Sequence, residues 1–141
     1  MIVIASDHAG VELKADLVAV IQGCGRDARD LGPADSASVD YPDFAHRVAS
    51  MVASGEAEAG VLICGTGIGM SLTANTHTGV RAALCHDLFG AQMSRRHNDA
   101  NILCLGGQVL GPGLAKALVK EWLETPYAGG RHRPRVEKIE N

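Results

Sequence analysis

The chain predicts an α/β protein with a three-layer α/β/α, Rossmann-like arrangement around a five-stranded parallel sheet. Three observations point there. Short apolar runs alternate with amphipathic stretches over the whole 141 residues. The runs are apolar throughout, as strands covered on both faces require. One run, Val61-Leu62-Ile63-Cys64, passes into Gly65-Thr66-Gly67-Ile68-Gly69 and then into a helical stretch, the strand-to-helix turn of a βαβ unit.

Each element has its own signal. Ile2-Val3-Ile4-Ala5 forms a first strand that stops at Ser6-Asp7-His8. Leu13, Leu17, Val20 and Ile21 trace the stripe of an amphipathic helix, closed by Gly23 and Gly25. A weaker strand is expected near residues 26–31. Asp40-Tyr41-Pro42-Asp43 starts a second helix, with Pro42 tolerated in its first turn and Phe44, Val48, Met51 and Val52 as its apolar face. Strands over 60–64, 80–85 and 101–105 alternate with helices near Ser71 and over 87–96 and 114–123. Right-handed crossovers restrict the topology, and strand order 2-1-3-4-5 is expected. Its switch point lies between strands 1 and 3, where α/β sheets bind ligands. One domain, 1–141, is expected, with a C-terminal helix and basic tail over about 111–141.

Bulk properties exclude several classes. The chain is 46% hydrophobic and 21% charged with a net charge of −3. No global basic field recommends a nucleic-acid or membrane partner. No apolar segment reaches membrane-spanning length, and Met1 leads straight into a strand without signal-peptide regions. Cys24, Cys64, Cys85 and Cys104 show no CxxC spacing, and three of them lie in or beside apolar runs. That pattern argues against disulfides and zinc and for a cytoplasmic protein.

The glycine loop carries the chemistry. Its backbone N–H groups can crowd round an anion at the start of a helix, and helix N-termini raise the thiolate fraction of a nearby cysteine. A dinucleotide fingerprint would need a third glycine at Met70, and a P-loop would need a following Lys-Ser or Lys-Thr. A cysteine phosphatase would need an arginine where Met70 stands. The glycines could also serve only as a tight turn, and Cys64 as a core thiol. Asp7 could be a helix N-cap and His8 a half-exposed first-turn residue. His97, after Ser94-Arg95-Arg96, suits a helix C-terminus, with Asn98 as its stop. His46, His77 and His86 have no evident partners and are expected at the surface. Arg131 and Arg135, four apart, would share one helix face and could clamp a phosphate.

Taken together, these residues resemble the ribose-5-phosphate isomerase B family, whose relatives include galactose-6-phosphate isomerase subunits. The resemblance spans essentially the whole chain. It rests on Ser6-Asp7-His8, Asp40-Tyr41-Pro42, the Ile63–Gly69 loop, Arg95-Arg96-His97-Asn98-Asp99-Ala100-Asn101 and the tail from Gly129 to Arg135. It implies interconversion of ribose 5-phosphate and ribulose 5-phosphate through an enediol, with no metal and no cofactor. Cys64 would be the base that moves a proton between C1 and C2. The backbone of Gly65, Thr66, Gly67, Ile68 and Gly69 would hold the enediolate oxygen, with Thr66 assisting. His97 would open the furanose, helped by Asp7 on the sugar hydroxyls. Asn98 would contact the sugar, and His8, Arg131 and Arg135 the phosphate. Family members are dimers or tetramers, so a homodimer or homotetramer with a site shared between subunits is expected.

One residue departs from the pattern. Gln108 stands where ribose-phosphate members carry a further phosphate-contacting arginine, and glutamine brings neither charge nor fork. The alternatives are an isomerase of a hexose or tetrose phosphate, or a non-catalytic sugar-phosphate-binding subunit.

Overall fold

The computed structural model of the chain describes residues 1–140. In chain order it runs β1 (Ile2–Ser6), a 3-10 turn (His8–Gly10), α1 (Val11–Gly23), β2 (Ala28–Asp30), α2 (Tyr41–Ala53), β3 (Ala59–Cys64), α3 (Ile68–Ala74), β4 (Ala82–Leu84), α4 (Leu88–Arg96), β5 (Ile102–Gly106) and α5 (Pro112–Glu124). A second 3-10 turn (Gly130–His132) and α6 (Arg133–Glu137) follow. All strand pairings are parallel, in the order β2-β1-β3-β5-β4. No helix among the described residues is long and apolar enough to cross a membrane.

The five-stranded parallel sheet matches expectation, but its order does not: β5, not β4, lies beside β3. Burial explains the exchange. Every residue of β1, β3 and β5 is buried, so these strands need neighbours on both sides. Ala82-Ala83-Leu84 is short and only half covered, which suits an edge. The Asn75 side chain closes that edge as a strand would. Its Nδ2 donates to the Ala82 carbonyl at 3.0 Å, and its Oδ1 accepts the Ala82 N–H at 2.8 Å.

Alternate strand residues feed two cores. Ile4, Val61, Ile63 and Leu103 pack with Leu17, Ile21, Leu118 and Trp122 on the α1/α5 face. Val3, Ala5, Leu62 and Cys104 pack with Phe44, Val48, Val52 and Met70 on the α2/α3 face. Each large apolar side chain so covered contributes about 1.5–3 kcal/mol. One buried charge stands apart from these cores. Lys14 of α1, only 2% exposed, donates to Asp30 Oδ1 at 2.7 Å and to the Pro33 carbonyl at 2.6 Å. It thereby pins the segment after β2, whose Gly32 carbonyl accepts the Ser6 N–H at 3.1 Å.

Candidate active site

Because the strands are parallel and the helices return antiparallel to them, the sheet has two functional edges. At the carboxyl edge, Ser6 is in register with Ile63, and the Asp7 N–H donates to the Ile63 carbonyl at 2.9 Å. This contact places Asp7 and His8 beside the Cys64 loop, as the β1/β3 switch point predicts. Asp7 Oδ1 accepts the Ala9 N–H at 2.9 Å, so Asp7 does cap the 3-10 turn. His8 Nδ1 accepts the Val39 N–H at 3.3 Å, which assigns the ring proton of neutral His8 to Nε2.

Cys64 ends β3 and is 5% exposed. Its Sγ accepts the Gly67 N–H at 3.2 Å. Gly67 has φ +78°, and a Cβ there would lie 2.5 Å from Leu84 Cδ1 and 2.9 Å from the Leu105 carbonyl carbon. Only glycine makes this turn. Gly69 lies against the Tyr41 ring, where a Cβ would come within 2.5 Å. Thr66 is exposed, and its Oγ1 accepts the Ile68 N–H at 3.3 Å. The loop is strapped to the end of β5: Gly107 N–H donates to the Cys64 carbonyl at 2.8 Å, and Gln108 N–H to the Gly65 carbonyl at 3.0 Å. The Gln108 side-chain amide itself lies over Gly65. Exposed apolar side chains surround this edge, among them Ile68, Leu72, Leu84, Leu88 and Phe89, the last 72% exposed.

His97 is at the opposite edge. It caps the C-terminus of α4, which runs back along the sheet before β5 begins. The six residues of β3 alone span about 20 Å, so Cys64 and His97 of one chain lie about a sheet's height apart. His97 is stacked on His132, with ring centroids 4.2 Å apart and planes 18° from parallel. His97, Asn98, Arg131, His132 and Arg135 line one cavity of about 480 Å³. The Ala128 N–H, donating to the Arg96 carbonyl at 3.0 Å, ties the tail to the end of α4.

Several details differ from expectation. Arg131 and Arg135 do not share one helix: Arg131 is in the 3-10 turn and Arg135 in α6, yet both face the same cavity. The helix ends at Arg96, before Asn98, and its left-handed cap follows at Asp99, with φ 49°. His46 and His77 are not without partners, since His46 Nδ1 lies 2.7 Å from His77 Nε2. His86 is half-buried, with Nε2 enclosed and unpaired among the described residues. His132 was invisible from the sequence as a site residue. The only signal was its place between two tail arginines, and the stack became legible once the tail folded back.

Electrostatics separate the groups. Burial, with the positive charge of His97, Arg131, Arg135 and Arg96 added, holds the His132 pKa below the ordinary histidine value. Burial pushes the Cys85 and Cys104 thiols up, and all four cysteines are free. Desolvation makes those two thiols poor nucleophiles or bases. Among the described residues, no group of three or more His, Cys, Asp or Glu is placed to hold a metal ion. A cavity of about 530 Å³ along the β4 edge is lined by neither Cys64 nor His97. The arrangement thus offers a thiol within an amide-rich turn at one edge, and imidazole and guanidinium groups at the other.

Known proteins resemble the chain in sequence and in fold. Residues 2–139 match the model of a family described as Ribose/Galactose Isomerase. The chain is 47% identical over 133 residues to ribose-5-phosphate isomerase B of Escherichia coli, covering 94% of this chain and 89% of that protein. It is 40% identical over 140 residues to D-erythrulose-4-phosphate isomerase of Pectobacterium atrosepticum, covering 98% and 91%. The structure of the type B ribose 5-phosphate isomerase of Trypanosoma brucei superposes with a TM-score of 0.96 at 45% identity, covering 99% of this chain and 95% of that one.

Proposed function

We propose, from the premise that this chain belongs to the Ribose/Galactose Isomerase family, that it interconverts ribose 5-phosphate and ribulose 5-phosphate at a site completed by a second copy of itself. The observation that carries this reading is the division of the site groups between the two edges of the sheet. The Cys64 thiol and the glycine loop, with Asp7 and His8 beside them, stand at one edge, and His97, Asn98, Arg131 and Arg135 at the other. A two-fold pairing brings unlike edges of two copies together. The apolar rim around the Cys64 loop gives such a partner a surface to cover.

The chemistry follows in order. His97 gives a proton to the furanose ring oxygen while the anomeric hydroxyl loses one, and the open aldehyde results. Asp7 accepts from the sugar hydroxyls and Asn98 orients the chain. The Cys64 thiolate takes the C2 proton, and the electron pair moves onto O1. Backbone amides of the loop from Gly65 to Gly69, with the Thr66 hydroxyl, hold that oxyanion. A proton passes from O2 to O1, and the Cys64 thiol returns its proton to C1, so no redox partner is consumed. A carbon acid beside a carbonyl is far weaker than any side-chain base, and one aligned oxyanion donor is worth about 10²–10³ in rate. His8, Arg131 and Arg135 bind the phosphate, remote from the reacting carbons, and that binding orients the sugar.

The test is conversion of ribose 5-phosphate in deuterated water, with pentose, hexose and tetrose phosphates compared. Ketose formation with deuterium entering at carbon, unaffected by chelator, is expected. Tight binding without exchange would instead identify a binding subunit, and release of inorganic phosphate a phosphatase.

A further inference from the structure

Beside the His97 cluster lies a charged group to which the reaction above gives no part. Asp99, two positions after His97, is the one non-glycine residue among the described residues with a positive φ, at 49°. Its N–H returns to the Arg95 carbonyl at 3.2 Å, and the Ala100 N–H to the Ser94 carbonyl at 2.9 Å. This is the left-handed cap of a helix C-terminus, a place that glycine or asparagine usually fills.

Two arginines hold the aspartate there. Arg81 donates from Nε to the Asp99 carbonyl at 2.8 Å and from Nη2 to Oδ2 at 3.2 Å. Arg95 Nη1 lies 3.6 Å from Asp99 Oδ1 and also donates to the Ala100 carbonyl. Arg95 is itself braced, by the Thr125 carbonyl at 3.3 Å and by the Trp122 ring with its centroid 5.2 Å away. Arg81 is fixed by its own N–H, which donates to Asn101 Oδ1 at 2.8 Å. The turn is therefore gripped from the start of β4, from α4 and from α5. A helix stop alone needs none of this, because glycine caps without a clamp. Strain held in place by surrounding contacts beside functional groups serves to position them.

We propose that Asp99 is a positioning residue: clamped by Arg81 and Arg95, it fixes the direction in which the chain leaves α4 and so aims His97 and Asn98 at the sugar. The inference rests on the reading of His97 as the ring-opening acid. Its consequence is selective. A misaimed His97 slows reaction of a pentose phosphate that closes into a furanose. It spares a tetrose 4-phosphate, whose O4 carries the phosphate and cannot close that ring.

Asp99→Gly adopts the left-handed backbone without a Cβ penalty, and Asp99→Asn tolerates it, so both are expected to fold, with a melting temperature lowered only by the loss of the Arg81 and Arg95 ion pairs. Both are nevertheless expected to lose about 10- to 100-fold in kcat on ribose 5-phosphate, with little change on erythrose 4-phosphate. Arg81→Gln, which leaves Asp99 in place, is expected to show the same selectivity. The His97 imidazole resonances in NMR spectra of the free protein are expected to shift in all three variants. Full activity in the Asp99 variants, equal losses on both sugars, or unmoved His97 resonances would each overturn the clamp. If His97→Ala itself loses equally on both sugars, the ring-opening reading fails and the proposal falls with it.

Discussion

The carboxyl edge of the sheet and its opposite edge reach a functional surface by different means. At the carboxyl edge, backbone does the work. Gly67 turns where no side chain fits, Gly107 and Gln108 strap the loop to β5, and the Cys64 sulfur meets an amide 3.2 Å away. At the opposite edge, charged side chains do it: Arg81 and Arg95 on Asp99, His132 stacked on His97, and Arg131 and Arg135 around one cavity. The first kind of site is fixed by the sheet and its glycines. The second depends on a helix end and a folded-back tail, and on ion pairs that respond to salt and pH. Stabilising an oxyanion asks for rigid dipoles; gripping a dianionic phosphate asks for cations.

The largest effect is expected at Cys64, the base proposed above. Cys64→Ala should lower kcat by about 10³-fold or more with KM nearly unchanged. Paired with His97→Ala it also tests how the edges meet. If each site takes Cys64 from one copy and His97 from the other, mixed dimers of the two inactive variants contain one intact site in two. Random re-pairing at equal amounts makes half of the dimers mixed, so about a quarter of wild-type activity should return. No recovery after denaturation and co-refolding would break the comparison, because both edges would then have to serve one site within a single chain.

A smaller effect is expected at the charged edge. Arg131→Ala and Arg135→Ala should each raise KM about 10- to 100-fold, since a charged hydrogen bond to phosphate is worth about 1.5–3 kcal/mol. Their effect should grow as ionic strength falls. A loss confined to kcat would move these arginines out of phosphate binding.

This division also decides what the sequence could disclose. The Cys64 loop was legible because a glycine turn after an apolar strand is a local pattern, and βαβ topology carries Asp7 and His8 to it. The swap of β4 and β5 was not, because both runs are apolar and only competition for the interior sends Ala82–Leu84 to the edge. The cysteines were ordinary as residue types; Cys64 is set apart by the Gly67 amide that meets its sulfur at the start of the glycine turn, while desolvation pushes the Cys85 and Cys104 thiols up. His132 and Asp99 escaped notice for a different reason. Each owes its place to contacts across more than one element, and neither has a spacing to announce it.

Gln108 tests whether the rigid edge can be given the character of the other. Its amide lies on Gly65, and it brings no charge there. Gln108→Arg is expected to lower KM for ribose 5-phosphate about three- to tenfold, with kcat within about twofold. A rise in KM, or a gain only for a tetrose phosphate, would mean that this position reads the sugar and not the phosphate.

The smallest effect is a pH dependence confined to the charged edge. His132 has a lowered pKa in the folded chain because burial, then His97 and the surrounding arginines, oppose its protonation. As pH falls through the ordinary histidine value, the unfolded chain takes up a proton that the folded chain refuses. Stability present above that value is therefore lost on the way down to the lowered folded pKa. His132→Gln removes this linkage and should flatten the fall in the urea midpoint between about pH 7 and pH 5. An unchanged slope would show that His132 titrates alike in both states. The charged edge would then owe its form to packing and not to charge.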